Sequence, residues 1–167
     1  TIARLSSHTQ LSRESVSATV KQWPDVEYDS GRLIVGFLGL TINTTPHKFI
    51  VNDRTLFTWC AWDSLFIPEL LNATASITSH CAISGELIRL NTSPIQLETV
   101  APVTAMISLL TPAMCQFCQY VNFFHSAETG KEWVQQHPGA FLLSIDDAYH
   151  LGKTFNRARY PELMVNI

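Results

Sequence analysis

The chain has 167 residues, enough for one ordinary domain with a buried core. Hydrophobic residues make up 46% and charged residues 15%, with four Trp and nine Phe, which excludes a disordered or low-complexity chain. The net charge of −3 and eleven scattered Lys and Arg argue against nucleic acid as a partner. The longest uninterrupted apolar run, Leu33 to Leu40, has eight residues, where a membrane helix needs roughly 20.

The first residue is Thr1 rather than Met, so further residues are expected upstream. Ser12 can cap a helix running to about Gln22, with Val16 and Val20 one turn apart and Trp23-Pro24 as the stop. A shorter helix is expected before it. Val26 to Tyr28, the turn Asp29-Ser30-Gly31 and Arg32 to Phe37 read as a β-hairpin. Helix, helix, hairpin is the outline of a winged helix, so residues 1–40 are expected to form a winged-helix-like segment and residues 41–167 an α+β core. Only Arg13 and Lys21 on the second helix could reach phosphates, too few for a DNA reader.

From Thr41 the pattern changes to short strands, at His47 to Val51, Leu56 to Trp59, Ala75 to Cys81, Glu86 to Thr92 and Val103 to Leu110. Ser84-Gly85 is the clearest hairpin turn. Ala61 to Leu71 suits a helix with Pro68 as a weak point. The last third predicts a strand over Phe117 to Phe124, a helix over Ser126 to Gln136 and a strand over Phe141 to Ile145. A final helix runs from Asp146 to about Tyr160. The fold class expected is α+β, a mixed or antiparallel sheet with flanking helices.

Four cysteines among apolar neighbours, Cys60, Cys81, Cys115 and Cys118, read as reduced thiols of a cytoplasmic protein. Trp59-Cys60-Ala61-Trp62-Asp63 places a thiol and a carboxyl three residues apart at the start of the predicted helix, where i and i+3 share a face. Free amides there would favour a Cys60 thiolate, and the aromatic surroundings would keep Asp63 protonated. A buried structural cysteine beside a first-turn aspartate explains the same residues. Cys115-Gln116-Phe117-Cys118 is a C-x-x-C, which raises zinc or dithiol redox chemistry. Zinc normally takes a second close pair, and Cys60 and Cys81 stand 21 residues apart. If Phe117 to Phe124 is a strand, Cys118 faces away from Phe117, and Cys115 has no fixed relation to that face. The six histidines form no ligand pair, and nucleophile-elbow and phosphate-loop motifs are missing from the sequence.

Leu56 to Asp63, Ser79-His80-Cys81-Ala82, Phe117-Cys118-x-x-Val121-x-Phe123-Phe124 and Phe155-Asn156-Arg157, in that order and spacing, resemble the organomercurial lyases. The resemblance runs from about Ser12 to Tyr160. It implies an enzyme that cleaves R–Hg–X by protonolysis, with Cys60, Asp63 and Cys118 binding mercury and carrying the reaction. It implies no organic cofactor, Hg(II) as bound product, and removal of that ion by small cellular thiols or a mercuric reductase. The family pattern has a second cysteine directly after the catalytic one, where this chain has Gln119, and Cys115 has no counterpart in it. Soft thiolates suit mercury, and a neighbouring acid can deliver a proton to the leaving carbon. The readings left open are a mercury-sequestering protein and a zinc-binding winged-helix protein, both without lyase activity.

Overall fold

The structure, a computed structural model, describes residues 1–23, 25–111 and 117–166. Two helices come first, α1 (Ile2–Thr9) and α2 (Arg13–Gln22). The Ser12 side chain accepts from the Ser15 N–H, and Val16 and Val20 are the buried positions of α2, as their spacing predicts. An eight-stranded antiparallel sheet follows in the order β1-β2-β3-β5-β4-β6-β7-β8. Its strands are β1 (Val26–Tyr28), β2 (Ile34–Phe37), β3 (Leu40–Thr41), β4 (Lys48–Val51) and β5 (Arg54–Thr58), then β6 (Ala75–His80), β7 (Leu87–Thr92) and β8 (Leu97–Ala101). The helix, helix, hairpin order of the N-terminal residues is present. The hairpin continues into the main sheet, because Gly36 and Phe37 of β2 pair with Thr41 and Leu40.

Local chemistry explains most of these elements. The β4–β5 hairpin turns on Asn52 and Asp53, both at positive φ, the two-residue geometry that matches strand twist. Ala75, Ile77 and Ser79 alternate inward on β6, and Ile88, Leu90 and Thr92 on β7. Two strands escape the sequence pattern. β3 is only two residues long, and β8 follows a register shift between Asn91 and Thr92 that breaks the period-two alternation.

The helix α3 (Asp63–Leu71) lies between this sheet and α5 (Ile145–Arg159). Pro68 lacks the N–H that would meet the Ser64 carbonyl, and the Thr92 hydroxyl of β7 donates to that carbonyl instead at 3.4 Å. On the α5 side, Trp62 Nε1 donates to the Ala148 carbonyl at 2.9 Å, and Asn156 Nδ2 donates to the Phe66 carbonyl at 3.0 Å and to Glu69 at 2.8 Å. Gly152 permits the approach, since a Cβ there would stand 2.7 Å from Phe66 Cβ. Leu65, Ile67, Ile77, Ile88 and Tyr149 fill the core between them, and burying each such side chain contributes about 1.5–3 kcal/mol.

A second sheet, β10-β9-β11, is also antiparallel, with β9 (Met106–Leu110), β10 (Phe123–Phe124) and β11 (Ala140–Ser144). The helix α4 (Ala127–Gln135) packs on it, capped by a reciprocal Ser126–Thr129 pair. The strand expected over Phe117 to Phe124 is wrong for its first half. Phe117–Tyr120 is a short 3-10 helix, and only Phe123 and Phe124 pair with β9. Ser108 of β9 accounts for the break. Its hydroxyl donates to the Tyr120 carbonyl at 2.7 Å and accepts from Asn122 N–H, while the Val121 carbonyl turns to accept from Ala61 N–H. No described helix is long and apolar enough to cross a membrane.

Candidate functional site

Three stretches of chain meet at one point. The β5–α3 connection carries Cys60, the first residue of α3 is Asp63, and the 3-10 helix carries Cys118. The two sulfurs and the Asp63 carboxyl lie within 4.8 Å of one another, the one such group of potential metal-ligating atoms among the described residues. Cys60 is fully buried, Asp63 is 9% exposed, and Cys118 is half-buried. Cys115 lies outside the described residues. His80 and Cys81 are elsewhere, at the end of β6. There burial pushes the Cys81 thiol up, but hydrogen bonds from Ser84 bring it down to about 7.

The local geometry differs from the helix face expected for Cys60 and Asp63. Trp62 is the N-cap of α3, so Cys60 precedes the helix, and Asp63 reaches back to accept the Cys60 N–H at 2.9 Å. The loop is fixed further by the Thr58 hydroxyl, which donates to the Cys60 carbonyl at 2.9 Å. Glu27 of β1 holds the neighbouring Trp59 indole at 3.1 Å. Gly39, at φ 87, backs directly onto the acid, and a Cβ there would be 2.8 Å from Asp63 Cγ.

The electrostatics separate the two thiols. Burial pushes Cys60 well above the ordinary thiol value, and its hydrogen bond to Cys118 and the Asp63 charge add to this. The expectation of a helix-stabilised thiolate at Cys60 is therefore wrong, because the residue is buried and lies outside the first turn. Cys118 moves the other way. The hydrogen bond with Cys60 favours its thiolate, and that outweighs burial and the Asp63 charge. Asp63 is pushed up to about 7 by burial, against hydrogen bonds with Cys60 that favour the carboxylate, with the nearby Asp25 charge adding to the rise. A proton-holding carboxyl at this position is what the aromatic surroundings predict.

Asp63 and Cys118 open on a cavity of about 460 Å³, whose walls include Trp62, Phe66, Phe117 and Phe155. Trp62 meets Phe66 and Phe117 edge-on at centroid distances of 5.2 and 5.9 Å, and Phe155 packs at 5.4 Å from both Trp62 and Phe66. Cys60 does not line the cavity.

A family model described as "MerB: Alkylmercury lyase" matches residues 40–156. The chain belongs to the alkylmercury lyase family. It is 39% identical over 167 residues to an alkylmercury lyase of Bacillus cereus, covering 97% of this chain and 76% of that protein. It is 38% identical over 163 residues to one of Streptomyces lividans, covering 95% and 75% respectively. A solved structure described as the mercury-bound form of MerB2 superposes with a TM-score of 0.77 at 27% identity, covering 94% of this chain and 81% of that one.

All three residues expected to carry the chemistry of an alkylmercury lyase are thus adjacent in space. Gly39, Asp25 and Tyr160 at the same cavity were not foreseen. The two glycines in the Leu33 to Leu40 run were a visible signal for Gly39, but its contact with Asp63 depends on β2 and β3 folding back against β5.

Proposed function

We propose that Cys60, Cys118 and Asp63 cleave the carbon–mercury bond of an organomercury substrate, giving a hydrocarbon and Hg(II). The observation that carries this reading is the convergence of two thiols and one carboxyl raised to about 7, which can both take and give a proton near neutral pH, beside an aromatic-walled cavity. Cys118, exposed to the cavity and the more acidic thiol, bonds mercury first and displaces the substrate's other ligand, giving Cys118–S–Hg–R. Cys60 needs a base, and the Asp63 carboxylate takes its proton. The Cys60 thiolate adds to mercury and pushes electron density onto carbon. Asp63 returns the proton to that carbon, R–H leaves, and Hg(II) remains between the two sulfurs. The aromatic walls hold the organic group and keep bulk water from the buried acid.

Release of Hg(II) calls for competing thiols, supplied by small cellular thiols or a mercuric reductase. This suits a reducing compartment such as the cytoplasm, and no residue of the reading requires an organic cofactor. Incubation with phenylmercury and excess thiol should release benzene, measured by gas chromatography. Asp63→Asn should retain mercury while releasing benzene about 10²–10⁴-fold more slowly. Stoichiometric mercury capture by the native protein without benzene would identify a sequestering protein instead.

A further inference from the structure

In the presence of thiols, an alkyl or aryl mercury ion is a two-coordinate R–Hg–SR′ species, because mercury prefers sulfur to nitrogen or oxygen ligands. Its two ligands point in opposite directions. With R among Trp62, Phe66, Phe117 and Phe155, the carrier sulfur and its substituent R′ must lie on the other side of the metal. A second cavity of about 420 Å³ is present, sharing Asp25, Leu38 and Tyr160 with the first. Its remaining walls include Arg159, the last residue of α5, and Glu162 just beyond, over an apolar floor that includes Trp23 and Phe37, whose rings stack at 4.8 Å.

The charges around this second cavity are of both signs. Among the described residues, the Asp25, Arg159 and Glu162 side chains form no ion pair with one another or with any other group. Arg159 stands over the Tyr160 ring, 5.8 Å from its centroid. One guanidinium and two carboxylates around a single cavity match a small ligand carrying one carboxylate and one ammonium.

We propose that this second cavity is a carrier site, which recognises the zwitterionic amino-acid thiol that delivers the organomercury ion. Arg159 takes the carrier's carboxylate, and Asp25 with Glu162 takes its ammonium group. The inference rests on the lyase reading of the adjoining thiols. The transfer balances: R–Hg–SR′ and the two enzyme thiols give R–H, the Cys60–S–Hg–S–Cys118 product and R′SH. One thiol proton goes to carbon and the other to the departing carrier.

The test uses phenylmercury presented on L-cysteine, 3-mercaptopropionate, cysteamine, 2-mercaptoethanol or glutathione, with kcat/KM taken from benzene release. The expected result is an L-cysteine adduct turned over about tenfold more efficiently than the 2-mercaptoethanol adduct, the size of one charge-assisted contact. In Arg159→Gln, the advantage of the carboxylate-bearing carriers over 2-mercaptoethanol should disappear, while that of cysteamine persists. Glu162→Gln should weaken the cysteamine advantage instead. Carrier ratios that are the same in the native protein and both variants would overturn the proposal. A glutathione adduct at the level of 2-mercaptoethanol is expected for a site that fits the free amino acid, and a glutathione adduct turned over more efficiently than the cysteine adduct would overturn that assignment.

A second measurement separates this inference from the lyase reading. S-Methyl-L-cysteine carries the same zwitterion but has no thiol, so its binding can be followed by saturation-transfer NMR without any mercury. Binding to the native protein that is lost in Arg159→Gln supports the carrier site even if no benzene is ever formed. Equal signals from both proteins, or from neither, would overturn it.

Discussion

The two cysteines of the site sit in regions built on opposite plans. The Cys60 loop is closed: the Thr58 hydroxyl, Asp63 and the Val121 carbonyl hold its backbone, and the thiol has no exposure. The 3-10 helix bearing Cys118 is half-buried, and Ser108 fixes its C-terminal end through the Tyr120 carbonyl. The contrast teaches that a pair of thiols acting on one metal ion need not be equivalent. One can be presented to the incoming ligand as the more acidic thiol, while the other is kept protonated beside a base until the metal arrives.

The comparison breaks most visibly when either sulfur is removed. Cys60→Ser and Cys118→Ser should both abolish hydrocarbon release, since each leaves mercury with one thiolate. Limited alkylation of the native protein with iodoacetamide, read by peptide mass spectrometry, should modify Cys118 well before Cys60. Modification of Cys60 first would reverse the assignment. A smaller effect is expected at Gly39. Alanine there meets Asp63 Cγ at 2.8 Å and is strained at φ 87, so the acid must shift. Cleavage by Gly39→Ala should fall about 10- to 100-fold, in keeping with a misplaced catalytic group, with the fold retained by circular dichroism.

Stability provides a further test. Folding raises the Asp63 value from 3.8 to about 7, so between these pH values the folded protein holds a proton that the unfolded chain has released. The associated stability is fully present below about pH 4 and is lost as pH rises through 7, up to roughly 4 kcal/mol for a shift of this size. Asp63→Asn carries no such titration. Its melting temperature should therefore gain on that of the native protein between pH 5 and pH 8, and a difference that stays constant would remove Asp63 as the titrating group. The smallest effect is at Glu27, whose two oxygens accept from Asn43 and Trp59. Glu27→Gln keeps one acceptor, so denaturant melts should show a loss of about 0.5–1.5 kcal/mol with cleavage within a few-fold of native.

The sequence showed the site's chemistry more clearly than its geometry. Cys60 and Asp63 were legible together because they are three residues apart, and Cys118 entered through the family resemblance. Their unequal acidity was not legible, because it arises from burial and from a hydrogen bond between residues 58 positions apart. Helices were read well where Ser12 and Ser126 cap them with local side-chain bonds, whereas Ser144, the cap of α5, was placed inside the preceding strand. The stretch from Phe117 was misread as a strand because it is rich in strand-favouring residues, Phe117, Tyr120, Val121, Phe123 and Phe124. Ser108, across the fold, decides the backbone there. Asp25 and Tyr160 reach the cavity from distant parts of the chain, and no local pattern announces such an encounter.

The bond that Thr92 makes to the carbonyl freed by Pro68 has a consequence for how the molecule opens. Through it α3 is tied to the large sheet, and through Trp62 and the Phe66 carbonyl to α5, so its N-terminal half is held on two sides. Its amide hydrogens should exchange with solvent at the rate of global unfolding, together with the neighbouring strands rather than as a separate unit.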